Sequence, residues 1–392
     1  MAVMRLKKDI YEVGAVDWDR ELFDELIPLP DGTSYNAYLI RGSEKVALLD
    51  TVDPPKESVL MDNLNSLGVD HIDYVISHHC EQDHSGSIPA VLERYPMARV
   101  VTNQKCMKML KDHLHVPNER FLEVKDGEEL SLGDRTLRFI YAPWVHWPET
   151  MLTHLPEDGI LFTCDLFGSH MAASNLFVRD KNIVYPAAKR YYAEIMMPFR
   201  RLIKGHIKKL EKLDFDVIAP SHGPIYDEPD FIMDAYRDWI SDEVRNEVVV
   251  PYVSMHGSTE DMVQHLVNTL IEKGIKVTPY NLTTTDLGDL AMSLVDAATV
   301  VIATPTVLTG PHPKALYAAY LVNALRPKTK FVSLIGSYGW GGRMPDVIKD
   351  SIKNLKAEMI EPVVVKGHPT AKDLEDIERL AEDIMDRHEK NI

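Results

Sequence analysis

Two rhythms of apolar residues run along the chain, and one gives way to the other near Asn246. Before that point the apolar runs are short and broken by turns. Residues 46–49, 74–77, 99–102, 137–141, 160–163 and 216–219 read as strands. Leu130-Ser131-Leu132-Gly133-Asp134 reads as the entry to a hairpin turn. Helical patterns interleave at 88–94 and 105–113, a longer helix is predicted over 190–213, and the acidic stretch 226–246 is helical in part. Beyond it, residues 247–253, 276–280, 299–303, 330–335 and 362–365 are almost continuously apolar, as strands buried on both faces should be. Helical stretches at 259–273, 314–324, 344–355 and 371–388 separate them. Strands alternating with helices predict an α/β, doubly wound parallel sheet. The expected domains are 1–246 and 247–392.

Composition narrows the class of function. A chain of 392 residues fits two domains, and 45% hydrophobic residues suffice for a core in each. The net charge of -17 speaks against nucleic acid, whose partners carry a basic patch. It leaves room for small anions, which backbone amides bind locally. The cysteines Cys80, Cys106 and Cys164 are odd in number, widely spaced and without a CxxC pair. That argues against a disulfide framework or a thiolate metal module and suits a reducing cytoplasm. The opening MAVMRLKKDIYEV turns polar too soon for a signal peptide, and no apolar run reaches the roughly 18 residues of a membrane span.

The first chemical signal is a cluster. Ser77-His78-His79-Cys80-Glu81-Gln82-Asp83-His84 follows a predicted strand and brings His79, Glu81, Asp83 and His84 into one loop. Imidazoles and carboxylates are transition-metal ligands. Downstream, His146 in PWVHWP, Asp165 and His222 in SHG each lie at or just after the end of a predicted strand. Any one of these histidines alone would more often be a surface or core residue. In this order, HxExDH, then His, Asp and SHG, they resemble the metallo-β-lactamase superfamily and specifically its flavodiiron branch. Glu81 stands where the hydrolases carry a second histidine.

The second signal lies beyond Asn246. The loop Ser254, Met255, His256, Gly257, Ser258, Thr259 joins a predicted strand to a helix and offers hydroxyls, amides and a helix N-terminus, which suit a phosphate monoester. It is neither GxGxxG nor Walker A, and by itself it could be a plain helix cap. Two further segments follow strands of the same predicted sheet: Thr304, Pro305, Thr306, Val307, and Ser337, Tyr338, Gly339, Trp340, Gly341. Glycines let backbone approach a planar ring, and Tyr338 and Trp340 could stack on it. The three together are similar to the FMN loops of flavodoxins.

The resemblance covers nearly the whole chain, including YNAYL at 35–39 and YYAEIMMPF at 191–199. It implies a metallo-β-lactamase-like αβ/βα sandwich holding two irons, followed by a flavodoxin-like domain binding FMN. One iron would take His79, Glu81 and His146, the other Asp83, His84 and His222, with Asp165 bridging; Asp83 could also serve without His84. No catalytic residue beyond the ligands is implied. His78 is expected outside the metal shell and His154 structural, while His170 lines the substrate pocket or is structural. Cys80 and Cys164 read as small buried side chains. The implied reactions are reduction of dioxygen to water, of nitric oxide to nitrous oxide, or both. Electrons would come from a separate carrier, a rubredoxin or alternatively a reduced deazaflavin coenzyme. The implied working unit is a head-to-tail homodimer or tetramer, since nothing in the linkage obliges the two sites of one chain to meet. The competing readings are a two-zinc hydrolase with a flavin-sensing domain, and an electron carrier with a structural metal domain.

Overall fold

The computed structural model describes residues 3–392. They form two compact units, one running to Tyr192 and resuming over Phe199–Ile240, the other comprising Ala193–Pro198 and Ser241–Ile392.

In the first unit two sheets pack face to face. One orders its strands Met4–Lys7, Ile10–Glu12, Tyr38–Arg41, Val46–Leu49, Tyr74–Ile76, Arg99–Thr102 and Phe121–Glu123. The other orders Glu129–Ser131, Thr136–Tyr141, Met151–Leu155, Ile160–Cys164 and Val217–Pro220. Side chains alternate across a strand, and the core records it. Val46 and Leu48 face the helix-covered side with Leu60, Leu64, Ile88 and Leu110, whereas Ala47 and Leu49 face the second sheet with Phe139 and Phe162. The strand directions put the ends of Tyr74–Ile76, Thr136–Tyr141, Ile160–Cys164 and Val217–Pro220 where the ligand-bearing loops begin.

The second unit is a parallel sheet in the order Lys276–Asn281, Arg245–Tyr252, Ala297–Val307, Phe331–Tyr338, Val363–Lys366, with helices between consecutive strands. Numbered along the chain this is 2-1-3-4-5, the flavodoxin-like order, whose switch point lies between the first and third strands. The long helix Ala371–Asn391 opens with a reciprocal cap between Thr370 and Asp373.

Three expectations need correcting. The helix predicted over 190–213 is broken: a helix over Lys181–Tyr191 passes into a π-turn at Tyr192–Met196 and a 3-10 turn at Met197–Phe199 before Arg200–Leu210. Pro198 lacks the N–H that a continuous α-helix requires at this point. The third strand of the parallel sheet does not stop at Ala303 but runs to Val307, so Thr304, Pro305, Thr306 and Val307 are strand residues, paired on to Gly310–Pro311. Ser337 and Tyr338 likewise end the strand Phe331–Tyr338. Thr and Pro at the end of a strand look like loop in sequence. Register with the neighbouring strand extends the ladder through them, pairing Thr304 with Gly336 and Pro305 with Ser337.

Candidate metal centre and flavin site

The ligand loop is pinned before its side chains are considered. Ser77 Oγ donates to His79 O at 2.9 Å, Ser85 Oγ to Cys80 O at 2.7 Å, and Thr51 holds His84 O through both N and Oγ1. Asp165 follows Cys164, whose φ of +50° turns the chain out of its strand. His222 follows the strand Val217–Pro220, with Ser221 N bonded to Cys164 O at 2.8 Å. His146 rides a tight loop in which Trp144 N donates to Trp147 O at 2.6 Å.

These loops bring all seven predicted metal residues together. His79, Glu81, His146 and Asp165 form one group with ligand atoms within 4.8 Å of one another, and Asp83, His84 and His222 form a second. Asp165 joins them. Its Oδ2 lies 3.5 Å from His79 Nε2 and 3.6 Å from His146 Nε2, while its Oδ1 lies 2.9 Å from His84 Nε2 and 3.4 Å from His222 Nε2. Glu81 Oε2 sits 3.1 Å from His79 Nε2 and 3.0 Å from His146 Nε2.

The donor set fits a pair of cations. Both oxygens of Asp83, both oxygens of Asp165 and both ring nitrogens of His84 are buried without a hydrogen-bond partner. His84 Nε2 and Asp165 Oδ1 are close but not aligned as a hydrogen bond. Leaving such atoms unpaired in a dry interior costs about 1–3 kcal/mol each, and more when charged; metal coordination would remove that cost for the atoms that ligate, the carboxylate oxygens and His84 Nε2. The electrostatics agree. Burial alone would raise the Glu81 carboxyl, but hydrogen bonds from His146 and His79 hold it well below the usual carboxylate range. Burial disfavours a charged His222, yet Asp165 and Asp83 hold its pKa at about 10. The carboxylates create a strongly cation-favouring pocket.

The other histidines are engaged elsewhere. His78 bridges Asp50 and Thr153, at 2.6 Å to each. His154 Nε2 meets Asp214 O at 2.9 Å. His170 Nδ1 contacts Thr33 Oγ1 at 2.9 Å, and its buried Nε2 has no partner. Its ring lies 4.8 Å from those of His222 and Tyr191. Burial, then the neighbouring His222, push the His170 pKa well below its ordinary value. One carboxylate escaped the sequence reading. Glu149 Oε1 stands 2.9 Å from His79 Nδ1 and accepts from Cys80 N at 3.0 Å. Its place three residues after His146, in the same loop, was the available signal.

In the second unit the ends of Arg245–Tyr252, Ala297–Val307 and Phe331–Tyr338 lie side by side, Tyr252 beside Ala303 and Pro305 beside Ser337. Gly257, at φ +87°, precedes the helix Ser258–Glu272, which no side chain caps at that residue. A Cβ there would meet only His368 Nε2 at 3.9 Å, so the turn is open in front. Ser337 Oγ lies 3.2 Å from both Ser258 Oγ and Thr259 Oγ1, drawing the first and third loops together. Ser254 Oγ accepts from Glu260 N at 3.3 Å. Thr304 is buried, its hydroxyl donating to Pro305 O and accepting from His312 N. Met255, Leu308 and Trp340 are 50%, 91% and 78% exposed, an unusual apolar display for one sheet edge. Hydroxyls, a helix N-terminus and exposed apolar side chains at a switch point fit a flavin mononucleotide.

Comparison with known proteins gives the same two parts. Residues 33–223 match the family model described as ODP family beta lactamase, and residues 250–380 match Flavodoxin. The chain is 36% identical over 375 residues to a nitric oxide reductase of Moorella thermoacetica, covering 93% of this chain and 94% of that protein. It is 31% identical to a coenzyme F420H(2) oxidase of Methanothermobacter marburgensis, covering 95% and 96%. Its structure matches rubredoxin oxygen:oxidoreductase from Desulfovibrio gigas with a TM-score of 0.94 at 30% identity, covering 98% of each chain. These relatives do not favour the hydrolase reading. With its lactamase-like and flavodoxin domains, this chain belongs to the flavodiiron, or type A flavoprotein, family of oxidoreductases.

Proposed function

We propose that this protein reduces dioxygen to water, nitric oxide to nitrous oxide, or both, at a non-haem diiron centre, with electrons relayed through FMN from a separate carrier. The observation that carries the reading is Asp165, whose two oxygens face two separate donor sets. His79, Glu81 and His146 would hold one iron; Asp83, His84 and His222 would hold the other. The Ser254–Thr259 loop would hold the FMN phosphate, with Thr304, Pro305, Thr306, Val307, Ser337, Tyr338, Gly339, Trp340 and Gly341 around its ring. When bound, the irons supply two electrons and the flavin two more, matching the four that dioxygen needs to become water and exceeding the two needed per pair of nitric oxide molecules.

The chain's own residues do the rest. The carboxylates of Glu81, Asp83 and Asp165 supply hard, anionic donors, which favour a metal that must visit the ferric state. Zinc has no such redox chemistry. Burial of the donors excludes bulk water, so charge is stabilised by fixed groups. His170, whose buried Nε2 has no hydrogen-bond partner, and the ring of Tyr191 both pack against His222.

A rubredoxin is the donor first proposed, since the Desulfovibrio gigas neighbour is named for one. A reduced deazaflavin is the second, since the Methanothermobacter relative is named an oxidase of coenzyme F420H(2). A head-to-tail homodimer or tetramer is proposed as the working unit. Stopped-flow mixing of the fully reduced protein with each gas tests the function. Rapid reoxidation of both flavin and iron by at least one gas is expected; reoxidation by neither faster than free FMN would refute it.

A further inference from the structure

The two donor sets differ in what stands behind their buried imidazoles. His222 Nδ1 lies 2.7 Å from Ser34 O, a neutral carbonyl. His79 Nδ1 lies 2.9 Å from Glu149 Oε1, a carboxylate oxygen. The Glu149 side chain is fully buried, and its Oε2 has no hydrogen-bond partner. Its position is fixed from several sides. Cys80 N donates to Oε1 at 3.0 Å, Asn103 Nδ2 donates to Glu149 O at 2.5 Å, and two residues on Met151 N donates to His78 O at 2.9 Å. A fully buried carboxylate is costly unless it is paired or hydrogen-bonded. Among the described residues its cationic option is the His79 ring.

We propose that Glu149 is a positioning residue that makes the two irons inequivalent. By accepting the Nδ1–H of His79 it fixes the tautomer that presents Nε2 to the metal, and it feeds negative charge through the ring. The half-site of His79, Glu81 and His146 therefore carries two sources of anionic support besides Asp165. The half-site of Asp83, His84 and His222 has a carbonyl-supported imidazole. The first half binds its iron more tightly than it would without Glu149 and favours the ferric state there. This rests on reading the two donor sets as iron sites.

The test uses the full-length, iron-loaded protein and the variants Glu149→Gln and Glu149→Asp, with Glu81→Ala and Asp83→Ala as markers for the two halves. Iron release to a chelator and Mössbauer spectra are recorded. Glu149→Gln keeps the shape and an acceptor oxygen but loses the charge. One iron should be released about 10–100-fold more readily, the range typical for such partners. The Mössbauer component that fades should be the one lost in Glu81→Ala, not in Asp83→Ala. FMN content should be unchanged, and Glu149→Asp should recover part of the retention. A wild type without two irons per chain would overturn the metal reading and this proposal together. A wild type with two irons, and a Glu149→Gln chain that loses both at one rate or neither faster than wild type, would overturn this proposal alone.

Discussion

The metal cluster and the flavin loops both follow the carboxyl ends of strands, yet they are made of opposite materials. At the metal cluster the side chains carry the chemistry. His79, Asp83, His84, Asp165 and His222 are buried, and six of their polar atoms lack partners. At the flavin loops the backbone is prominent: a helix start with a positive-φ glycine at its cap position, and hydroxyls bonded to one another, with exposed Met255, Leu308 and Trp340 on the same edge. The first site is a set of buried carboxylates and imidazoles suited to small cations. The second is an open edge shaped for a large, flat, singly anchored molecule. Substitutions should therefore act sharply and locally at the first and in graded fashion at the second.

The largest effect is expected at Asp165. Asp165→Asn keeps the shape but removes the charge shared by both donor sets. Both irons should be lost together, and gas-reducing activity should fall by more than the roughly 10–100-fold that loss of an outlying partner costs. FMN should stay, because its loops lie in the other unit. Selective loss of one iron in metal analysis would make Asp165 a terminal ligand. Glu81→Ala should give the narrower result, with less iron and less activity but full flavin; normal iron occupancy would remove Glu81 from the ligand set.

At the flavin edge, Ser258→Ala combined with Thr259→Ala should weaken FMN at least about a hundredfold, if each hydroxyl makes one bond to a charged phosphate worth roughly 1.5–3 kcal/mol. Iron should be retained. Equal affinity of the wild type for riboflavin and FMN, measured by fluorescence titration, would remove the phosphate from the account.

The legibility of the two sites differed for the same reason. Imidazoles and carboxylates are distinctive side chains, so the order of His79, Glu81, Asp83, His84, His146, Asp165 and His222 carried the family resemblance, and the fold brings all seven together. Glu149 did not stand out, because only the fold brings it behind His79. The doubly wound sheet was readable from its near-continuous apolar strands. Thr304 and Thr306 read as loop because a strand's polar end has no periodic signature, and Thr304 proves to be buried with its hydroxyl satisfied internally. The helix Leu287–Leu294 went unseen, as did the small N-terminal strands, which are too short for a window of apolar periodicity to resolve.

A third effect separates the metal domain from its site. Burial pushes the Glu12 carboxyl up to about 7, against a hydrogen bond from Gly14 N, and none of the metal donors takes part. The folded state holds its proton where the unfolded chain, titrating near 4.5, has released it. Stability from this group is thus full below about 4.5, falls as pH rises to about 7, and is flat beyond, a span of about 3 kcal/mol. Glu12→Gln should abolish that slope in urea unfolding of the first unit without changing iron or FMN content. An unchanged slope would assign it to other groups. The smallest effect is expected at Trp340. Stacking beyond area burial is worth about 0.5–1.5 kcal/mol, so Trp340→Ala should weaken FMN only about fivefold. No change in affinity would leave its exposure without a flavin role.

A reductive titration of the purified protein, with metals counted on the same sample, tests the central claim most directly. The proposed function predicts two irons and one FMN per chain, and four electrons taken up per chain. Two zincs with two electrons, all on the flavin, would contradict it.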